Sequence, residues 1–298
     1  MADLIQTIEA WAVSLETLIE DLLSGLDKRL KTAERELFRL ILADVLPKFS
    51  APDGILTASA RNLARLSLID DVVAQFERDA ARNLALRFAD ELLEVAGKNA
   101  EYYLKTGFDR AKVQAIAADT SLIRAKIGLD EAGGLVADGY LARLAKSEAL
   151  RDRLRDFVVE SFATKQTLAD FTRGIKNLVE GSSETEGALR NYWRQYAYDS
   201  YNAVREVSNL HYANELGLEW FVYTGGVIQT TRRFCEKRNR KVFSRKEAEG
   251  WVNDPDLIDK ATKNQYKPLI DRGRYNCRHF IMWISETEAQ RLRPDIAE

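Results

Sequence analysis

The sequence predicts an α+β fold, in which a long helical N-terminal region precedes a helix packed on a small antiparallel β-sheet. Apolar residues recur at helical spacing through most of the chain before residue 215, as in amphipathic helices. Residues 219–223 and 279–284 then form aromatic and β-branched runs that suit strands. With 298 residues, 46 % of them hydrophobic, the chain can bury the core of two domains, or of one domain with a long helical extension.

Composition narrows the classes of function. The charges give no overall bias toward nucleic acid or membranes, because 44 lysines and arginines stand against 46 acidic residues. Only two cysteines occur, which excludes a disulfide scaffold and predicts a reducing compartment. The sequence has no run of about 18 apolar residues, so no membrane span is predicted. Its acidic start, Met1-Ala2-Asp3, predicts no signal peptide.

Residues 1–106 are predicted to form a long α-helical hairpin, or arm. The apolar residues of its first half follow the alternating steps of a heptad seam: Leu4, Ile8, Trp11, Leu15, Leu18 and Leu22. They indicate one long helix, or two joined near Gly25, ending before Pro47. Such a stripe suits packing within a bundle or docking onto a partner protein. A second helical stretch, residues 57–106, has Gly97 as its expected kink and Gly107 as its stop, and should pair with the first in antiparallel fashion.

Residues 107–181 are predicted to form a region of short helices. Glycines at 128, 133 and 134 break the helical pattern. Thr167 and Asp170 have the spacing of a capping box with Asp in place of Glu, and predict a helix that runs through Val179. The polar residues 180–184 follow as a linker to the last segment.

Residues 182–298 are predicted to form the α+β domain. Residues 189–216 continue as one long helix, and the strand at 219–223 follows Gly217. Residues 227–230 are expected to resume as a second short strand. Cys235 and Cys277 are expected to lie near each other as small buried residues on adjacent strands, with a disulfide between them as the alternative.

This last segment carries a resemblance to a known family. After the helix come a strand containing Trp220, a turn at Thr231-Arg232 with Cys235, the run Lys241-Val242-Phe243, and Asn276-Cys277-Arg278. Together, over about residues 160–285, they resemble the C-terminal domain of the phage Mu F-like minor head proteins, the phage head morphogenesis family. The sequence departs from that pattern at two places: Asn239-Arg240 replaces the usual glycine, and the final Cys-Arg-Cys is here Cys277-Arg278-His279.

The resemblance implies both residue roles and a function. It gives structural roles to Trp220, Thr231, Cys235, Val242, Phe243, Asn276 and Cys277. Members of the family are minor proteins of the phage head that associate with the portal or connector and act in head assembly or DNA delivery. The implied protein is an interaction protein of the virion, in the host cytoplasm during assembly, with no cofactor and no small-molecule substrate. The alternatives are a virion-carried enzyme or toxin-like protein that acts on nucleic acid, and a nonspecific DNA-binding protein.

The clearest charge feature is residues 232–246, with eight positive side chains against one carboxylate. Clustered cations bind phosphates through counterion release, so this segment is predicted to contact nucleic acid without sequence specificity. The residues predicted to do so are Arg232, Arg233, Lys237, Arg238, Arg240 and Lys241. In the alternative interpretation the segment is a solvated turn, whose charges pair with acidic residues just downstream. Those residues are Glu247, Glu249, Asp254, Asp256 and Asp259.

Metal binding and catalysis find little support in the sequence. Cys235, Cys277 and His279 are the only candidate metal ligands, with His211 as a remote fourth. They lack the paired spacing of structural zinc sites, so no metal is predicted. Cys277 and His279 have the spacing of a nucleophile and base on one strand face, but no third group orients the base. With no Gly-rich phosphate loop either, the sequence predicts a protein that is not an enzyme.

Overall fold

The computed structural model describes residues 2–146, 148–258 and 265–296. The predicted α+β class is confirmed, since long helices are accompanied by a three-stranded antiparallel sheet. The α-helices are α1 (Ala2–Leu40), α2 (Ala60–Leu63), α3 (Ser67–Phe76), α4 (Arg82–Lys105), α5 (Arg110–Ala118), α6 (Ser121–Ile127), α7 (Tyr140–Ala145), α8 (Glu148–Ala163), α9 (Leu168–Glu180), α10 (Ala188–Leu216), α11 (Arg233–Glu236), α12 (Arg245–Glu249), α13 (Pro268–Asp271) and α14 (Glu286–Leu292). The strands are β1 (Trp220–Gly225), β2 (Lys241–Ser244) and β3 (His279–Ile284).

The chain divides into two compact units that do not follow its linear order. Unit 1 comprises Met1–Asp21, Asp90–Lys126 and Tyr198–Glu298. Unit 2 comprises Leu22–Ala89 and Ile127–Ala197. Helices α1, α4 and α10 therefore each contribute residues to both units. The segment boundaries expected after residues 106 and 181 remain predictions.

The sheet of unit 1 has the strand order β2-β1-β3, with both pairs antiparallel. Phe243 and Val242 of β2 stand opposite Phe221 and Val222 of β1. Every residue of β3 is buried, as predicted from its apolar composition. Helix α10 is anchored to this strand by Asn209, whose side-chain amide donates a 2.6 Å hydrogen bond to the carbonyl of Ile281. The expected helix and its small antiparallel sheet are therefore joined by a buried polar contact as well as by apolar packing.

The short strand expected at residues 227–230 was wrong. Thr231 closes a turn there: its backbone N–H donates to the Ile228 carbonyl, and its hydroxyl accepts from the Ile228 N–H. The backbone groups that a strand would need are used within the turn, and the side chain of Val227 is 61 % exposed. The second strand is instead β2, which begins at Lys241.

Helix α1 is continuous through Gly25, so the single-helix alternative is confirmed. Its buried stripe in unit 1 is formed by Ile8, Trp11, Leu15 and Ile19, whereas Leu18 of the predicted seam is half-buried. Successive steps of three, four and four residues follow the 3.6-residue turn of an ordinary straight helix more closely than a heptad repeat does. Trp11 also donates a 3.3 Å hydrogen bond to the Lys98 carbonyl of α4, a contact that suits the expected antiparallel pairing.

The second helical stretch is more divided than predicted. It contains α2, α3, a π-helical turn at Glu77–Ala81, and α4, which passes through Gly97 without a break. The buried amide of Asn62 fixes α2 to the loop that precedes it, because it accepts from the Ser50 N–H and donates to the Ser50 and Thr57 carbonyls. Gly107 ends α4 with a φ of +85°, as predicted.

In unit 2, the predicted start of α9 is confirmed. The Thr167 hydroxyl accepts a hydrogen bond from the Asp170 N–H, and the helix continues to Glu180. The rings of Phe157 and Phe171 stack with their centroids 5.8 Å apart, so α8 and α9 are joined by aromatic packing. Among the described residues, no helix is both long enough and apolar enough to cross a lipid bilayer.

Candidate functional site

The two cysteines of the chain meet in unit 1. Their sulfur atoms are 3.8 Å apart, and both side chains are buried. The predicted proximity is confirmed, but the expected position on adjacent strands was wrong. Cys235 lies in the short helix α11, and Cys277 lies in the turn before β3. Both cysteines are free in this structure, with no disulfide between them.

His279 and Tyr223 complete the cluster around the cysteines. The ligand atoms of Cys235, Cys277 and His279 all lie within 4.8 Å of one another. The ring of Tyr223 stacks on that of His279 with centroids 5.3 Å apart. Its hydroxyl is 3.3 Å from Cys235 Sγ and 3.6 Å from Cys277 Sγ. Tyr223 was not predicted from the sequence, although alternation along two paired strands puts residues 223 and 279 on the same face of the sheet.

The turn before β3 is held in an unusual conformation at Arg272. Its φ of 50° and ψ of −117° belong to a region that favours glycine, and the Arg274 N–H closes the turn onto the Asp271 carbonyl. The buried guanidinium of Arg272 donates to the His279 carbonyl and lies 3.3 Å from a Glu206 oxygen. Arg272 thus offsets the backbone strain with buried polar contacts directly beside the cluster.

Two glycines allow the close approaches that the cluster requires. A methyl group added at Gly273 would overlap Cys235 Sγ and lie 3.1 Å from Cys277 Sγ. A methyl group at Gly225 would overlap the backbone of Arg278 and His279. The first glycine gives the sulfur atoms their space, and the second lets β1 and β3 approach where His279 begins its strand.

A buried ion network lies between α10 and the site. The Glu206 carboxylate pairs with the guanidinium of Arg205 and with that of Arg272, and none of the three side chains is more than 5 % exposed. The Arg205 guanidinium also lies 4.2 Å from the centroid of the Phe280 ring. One carboxylate therefore faces two buried cations, one of which supports the turn that carries Cys277.

The pKa values of the two thiols are shifted in opposite directions. The bond from the Cys235 thiol lowers the pKa of Cys277, and His279 and Arg272 lower it further against the opposing effect of burial. The same hydrogen bond, together with burial, raises the pKa of Cys235. The pair therefore loses its first proton at Cys277 and holds the second at Cys235.

A cavity of about 250 Å³ adjoins the cluster. Cys235, Cys277 and His279 line it, together with Thr231, Arg232 and Asn276. The Asn276 N–H donates a 2.9 Å hydrogen bond to the Asp199 carboxylate of α10, and burial raises the pKa of Asp199. His211, the remote fourth ligand considered from sequence, has a different neighbour: hydrogen bonds from Ser121 and the charge of His211 lower the pKa of Asp119.

The basic segment serves the protein's own structure at several positions. Arg232 donates hydrogen bonds of 2.9 Å to the Gly273 carbonyl and 2.6 Å to the Tyr275 carbonyl. Arg238 is buried, donates to the Phe234 carbonyl and pairs with Asp254 at 2.5 Å. These two guanidiniums, predicted from sequence to contact nucleic acid, are committed to groups of the chain itself.

The alternative interpretation of the basic segment is supported at two of the acidic positions. Lys237 binds Asp254 at 2.5 Å and Asp256 at 3.0 Å. Asp259 lies outside the described residues. The side chain of Arg233 remains 81 % exposed, that of Arg240 is 67 % exposed, and Lys241 is exposed. Nucleic-acid contact therefore stays a prediction that concerns mainly these last three side chains.

Asp254 should make stability depend on acidic pH. Burial would raise its pKa, but the hydrogen bonds from Lys237 and Arg238 are stronger and lower the pKa from 3.8 to about 2. The stabilisation is complete above the ordinary pKa and is lost as the pH falls through the folded pKa. As the pH falls from above 3.8 to about 2, the free energy of unfolding of the wild type should decrease by about 2 kcal/mol through this group. The Asp254→Asn variant lacks the titrating carboxylate and should not show this decrease. Denaturant unfolding at pH 5, 4, 3 and 2 measures the difference; parallel curves for the two proteins would contradict it.

Arg240 occupies the left-handed conformation, with a φ of 62°. Of the two residues that replace the glycine of the phage head pattern, Arg240 is the one with a positive φ. Asn239 instead accepts a 3.1 Å hydrogen bond from the Gly225 N–H through its side chain. We expect Arg240→Gly to be more stable than Arg240→Ala by about 1 kcal/mol, because both lose the Glu9 ion pair and only alanine keeps the strain. Urea unfolding of the two variants tests this, and equal midpoints would contradict it.

Comparison with known proteins does not identify a family for this chain. No family model, no curated protein and no solved structure matches the chain.

Proposed function

We propose that the chain is a minor structural protein of a phage head, which associates with the portal or connector and acts in head assembly or DNA delivery. The observation that carries the proposal is the packing of the residues selected by the family resemblance. Val242 and Phe243 pair with β1, and Cys235 Sγ lies 3.8 Å from Cys277 Sγ. Residues that match the family pattern but are distant in sequence thus pack in one module. This packing supports the proposed relationship of the chain to the phage head family.

The same residues support an architectural role. Trp220 begins β1, Thr231 closes the turn that follows it, and the Asn276 backbone fastens the last turn to Asp199. Each acts through packing or through bonds to its own chain. We therefore favour the interaction protein over the virion-carried enzyme. The apolar stripe of α1 is buried within the protein, so the proposed surface for the portal or connector is the exposed side of the N-terminal helices.

Detection in phage particles tests the proposal. The chain should be found by mass spectrometry in purified heads, at few copies relative to the major head protein. A tagged chain should also co-purify with the portal protein encoded in the same genome when the two are co-expressed. A protein that is absent from purified particles and does not bind that portal would overturn the proposal.

Contact with packaged DNA is a separate part of the proposal. It rests on the exposed cations Arg233, Arg240 and Lys241, of which the first two form surface ion pairs with Asp256 and Glu9. Arg232 and Arg238 are held more firmly, by backbone carbonyls and a buried carboxylate. The affinity falls as salt concentration rises, and changing all three to Ala should make the slope of log affinity against log salt concentration shallower by about 3, if each cation neutralises one phosphate. A matched control removes three exposed arginines elsewhere: Arg78, Arg82 and Arg87.

Gel retardation of duplex DNA at several salt concentrations measures both slopes. The control variant should retain the wild-type slope, because the same net charge has been removed from another surface. DNA contact by this segment is refuted if the wild type does not bind, or if both triple variants behave alike.

A further inference from the structure

The Cys235–Cys277–His279 cluster has the dimensions of a metal site. Zinc bonds of about 2.3 Å to sulfur and about 2.0 Å to nitrogen, at tetrahedral angles, separate two sulfur ligands by about 3.8 Å and a sulfur from a nitrogen by about 3.6 Å. The two sulfur atoms are 3.8 Å apart, and the ligand atoms of the three residues lie within 4.8 Å of one another. A disulfide would instead require the sulfur atoms to approach to about 2.0 Å.

His279 provides a second, independent observation. The side chain is 2 % exposed, and its Nε2 atom has no hydrogen-bond partner among the described residues. Leaving such a buried group unsatisfied costs about 1–3 kcal/mol, and an ion is one of the ordinary explanations for it. An imidazole with an unpartnered nitrogen, placed beside two sulfur atoms, is available as a metal ligand.

From this geometry we infer that Cys235, Cys277 and His279 bind Zn²⁺ through three protein ligands, with the fourth position facing the adjoining cavity. The site lies beyond the proposed structural role and does not depend on it. On binding, both thiols release their protons to solvent and each sulfur forms a bond to the metal. Two thiolates, a neutral imidazole and Zn²⁺ together carry no net charge, which suits a buried site.

The surroundings of the three ligands fit the metal. The Tyr223 hydroxyl, within 3.6 Å of both sulfur atoms, can donate to a ligating thiolate and so hold it in place. Gly273 keeps side-chain atoms away from the sulfur pair. The cavity of about 250 Å³ has room for a water molecule, which would complete the tetrahedron as in zinc sites with three protein ligands.

Metal content and a spectroscopic probe test the inference on the full chain. Protein purified without chelator should contain about one zinc per chain by elemental mass spectrometry. After removal of zinc under reducing conditions, Co²⁺ should produce the thiolate charge-transfer band and the intense visible bands of a tetrahedral site. Zn²⁺ should then displace Co²⁺ and abolish both bands.

Variants assign the ligands. Cys235→Ser and His279→Gln should each weaken metal binding by more than about tenfold, since loss of a group behind a ligand already costs that much. His211→Gln, which changes the other histidine, should bind like the wild type. Circular dichroism identifies any variant that fails to fold, and the Co²⁺ spectrum of the wild type tests the site without any variant.

Two outcomes would overturn the inference. One is a wild-type protein that contains no zinc and gives no tetrahedral Co²⁺ spectrum. The other is a wild type whose mass falls by two hydrogens in air, and in which reducing agent restores two reactive thiols without any uptake of Zn²⁺. The second result would identify the pair as a disulfide instead.

Discussion

Replacing Glu206 with Leu should lower the free energy of unfolding by about 3–5 kcal/mol, the cost of removing one partner from a buried ion pair. Glu206 is fully buried and is the carboxylate that faces the guanidiniums of Arg205 and Arg272. Without it, two buried cations repel each other in a medium of low dielectric constant. Urea unfolding, followed by circular dichroism and tryptophan fluorescence, measures the loss.

The matched control is Glu9→Leu, which removes the carboxylate that pairs with the exposed Arg240. Surface pairs of this kind contribute about 0–1 kcal/mol, so the control should remain close to the wild type. Adding Arg205→Met to Glu206→Leu should recover part of the loss, because only one buried cation is then left without a partner. Equal destabilisation by Glu206→Leu and Glu9→Leu would contradict the assignment of Glu206 as the central charge.

Changing Trp283 to Ala should destabilise the protein by about 3–5 kcal/mol, the usual range for a buried tryptophan. The Trp283 side chain is fully buried, and its ring lies 5.1 Å from that of Phe221. The Arg245 guanidinium covers it at 4.5 Å from the ring centroid. Truncation would leave a cavity beside Phe221 on that face of the sheet and remove the ring that the Arg245 guanidinium contacts.

Tyr275→Ala is the matched control for this truncation, because its ring is 58 % exposed in the same unit. It should change the free energy of unfolding by less than about 1 kcal/mol. Both variants are compared by denaturant unfolding under identical buffer conditions. A Trp283→Ala protein as stable as Tyr275→Ala would show that the centre of the sheet is not the core of unit 1.

The sequence was most informative where its pattern coincides with local structure. The helix from residue 189 and the buried strand at 279–284 appear almost as predicted, because period and composition determine them directly. The strand expected at 227–230 fails although three of its four residues are β-branched, and β2 forms although Val242 is its one β-branched residue. The turn closed by Thr231 is local and uses the backbone groups of the expected strand, whereas the pairing of β2 with β1 joins segments that are distant in sequence and leaves no local pattern.

The site was harder to predict for a similar reason. Rules for metal ligands rely on close spacing, whereas Cys235 and Cys277 are 42 residues apart and meet through the packing of a helix against a turn. The basic segment posed the opposite difficulty. Sequence identifies its many cations but not which of them become buried, and the burial of Arg238 against Asp254, 16 residues further along the chain, is seen only in the fold.

The two hydrogen bonds of Arg232 limit which residues that position can accept. Its planar fork reaches two carbonyl oxygens, those of Gly273 and Tyr275, on either side of Arg274. Lysine would preserve the charge but not two parallel donors in fixed geometry. Exchange of one cation for another is therefore unfavourable at position 232, where the planar geometry of the donor group matters as well as its charge.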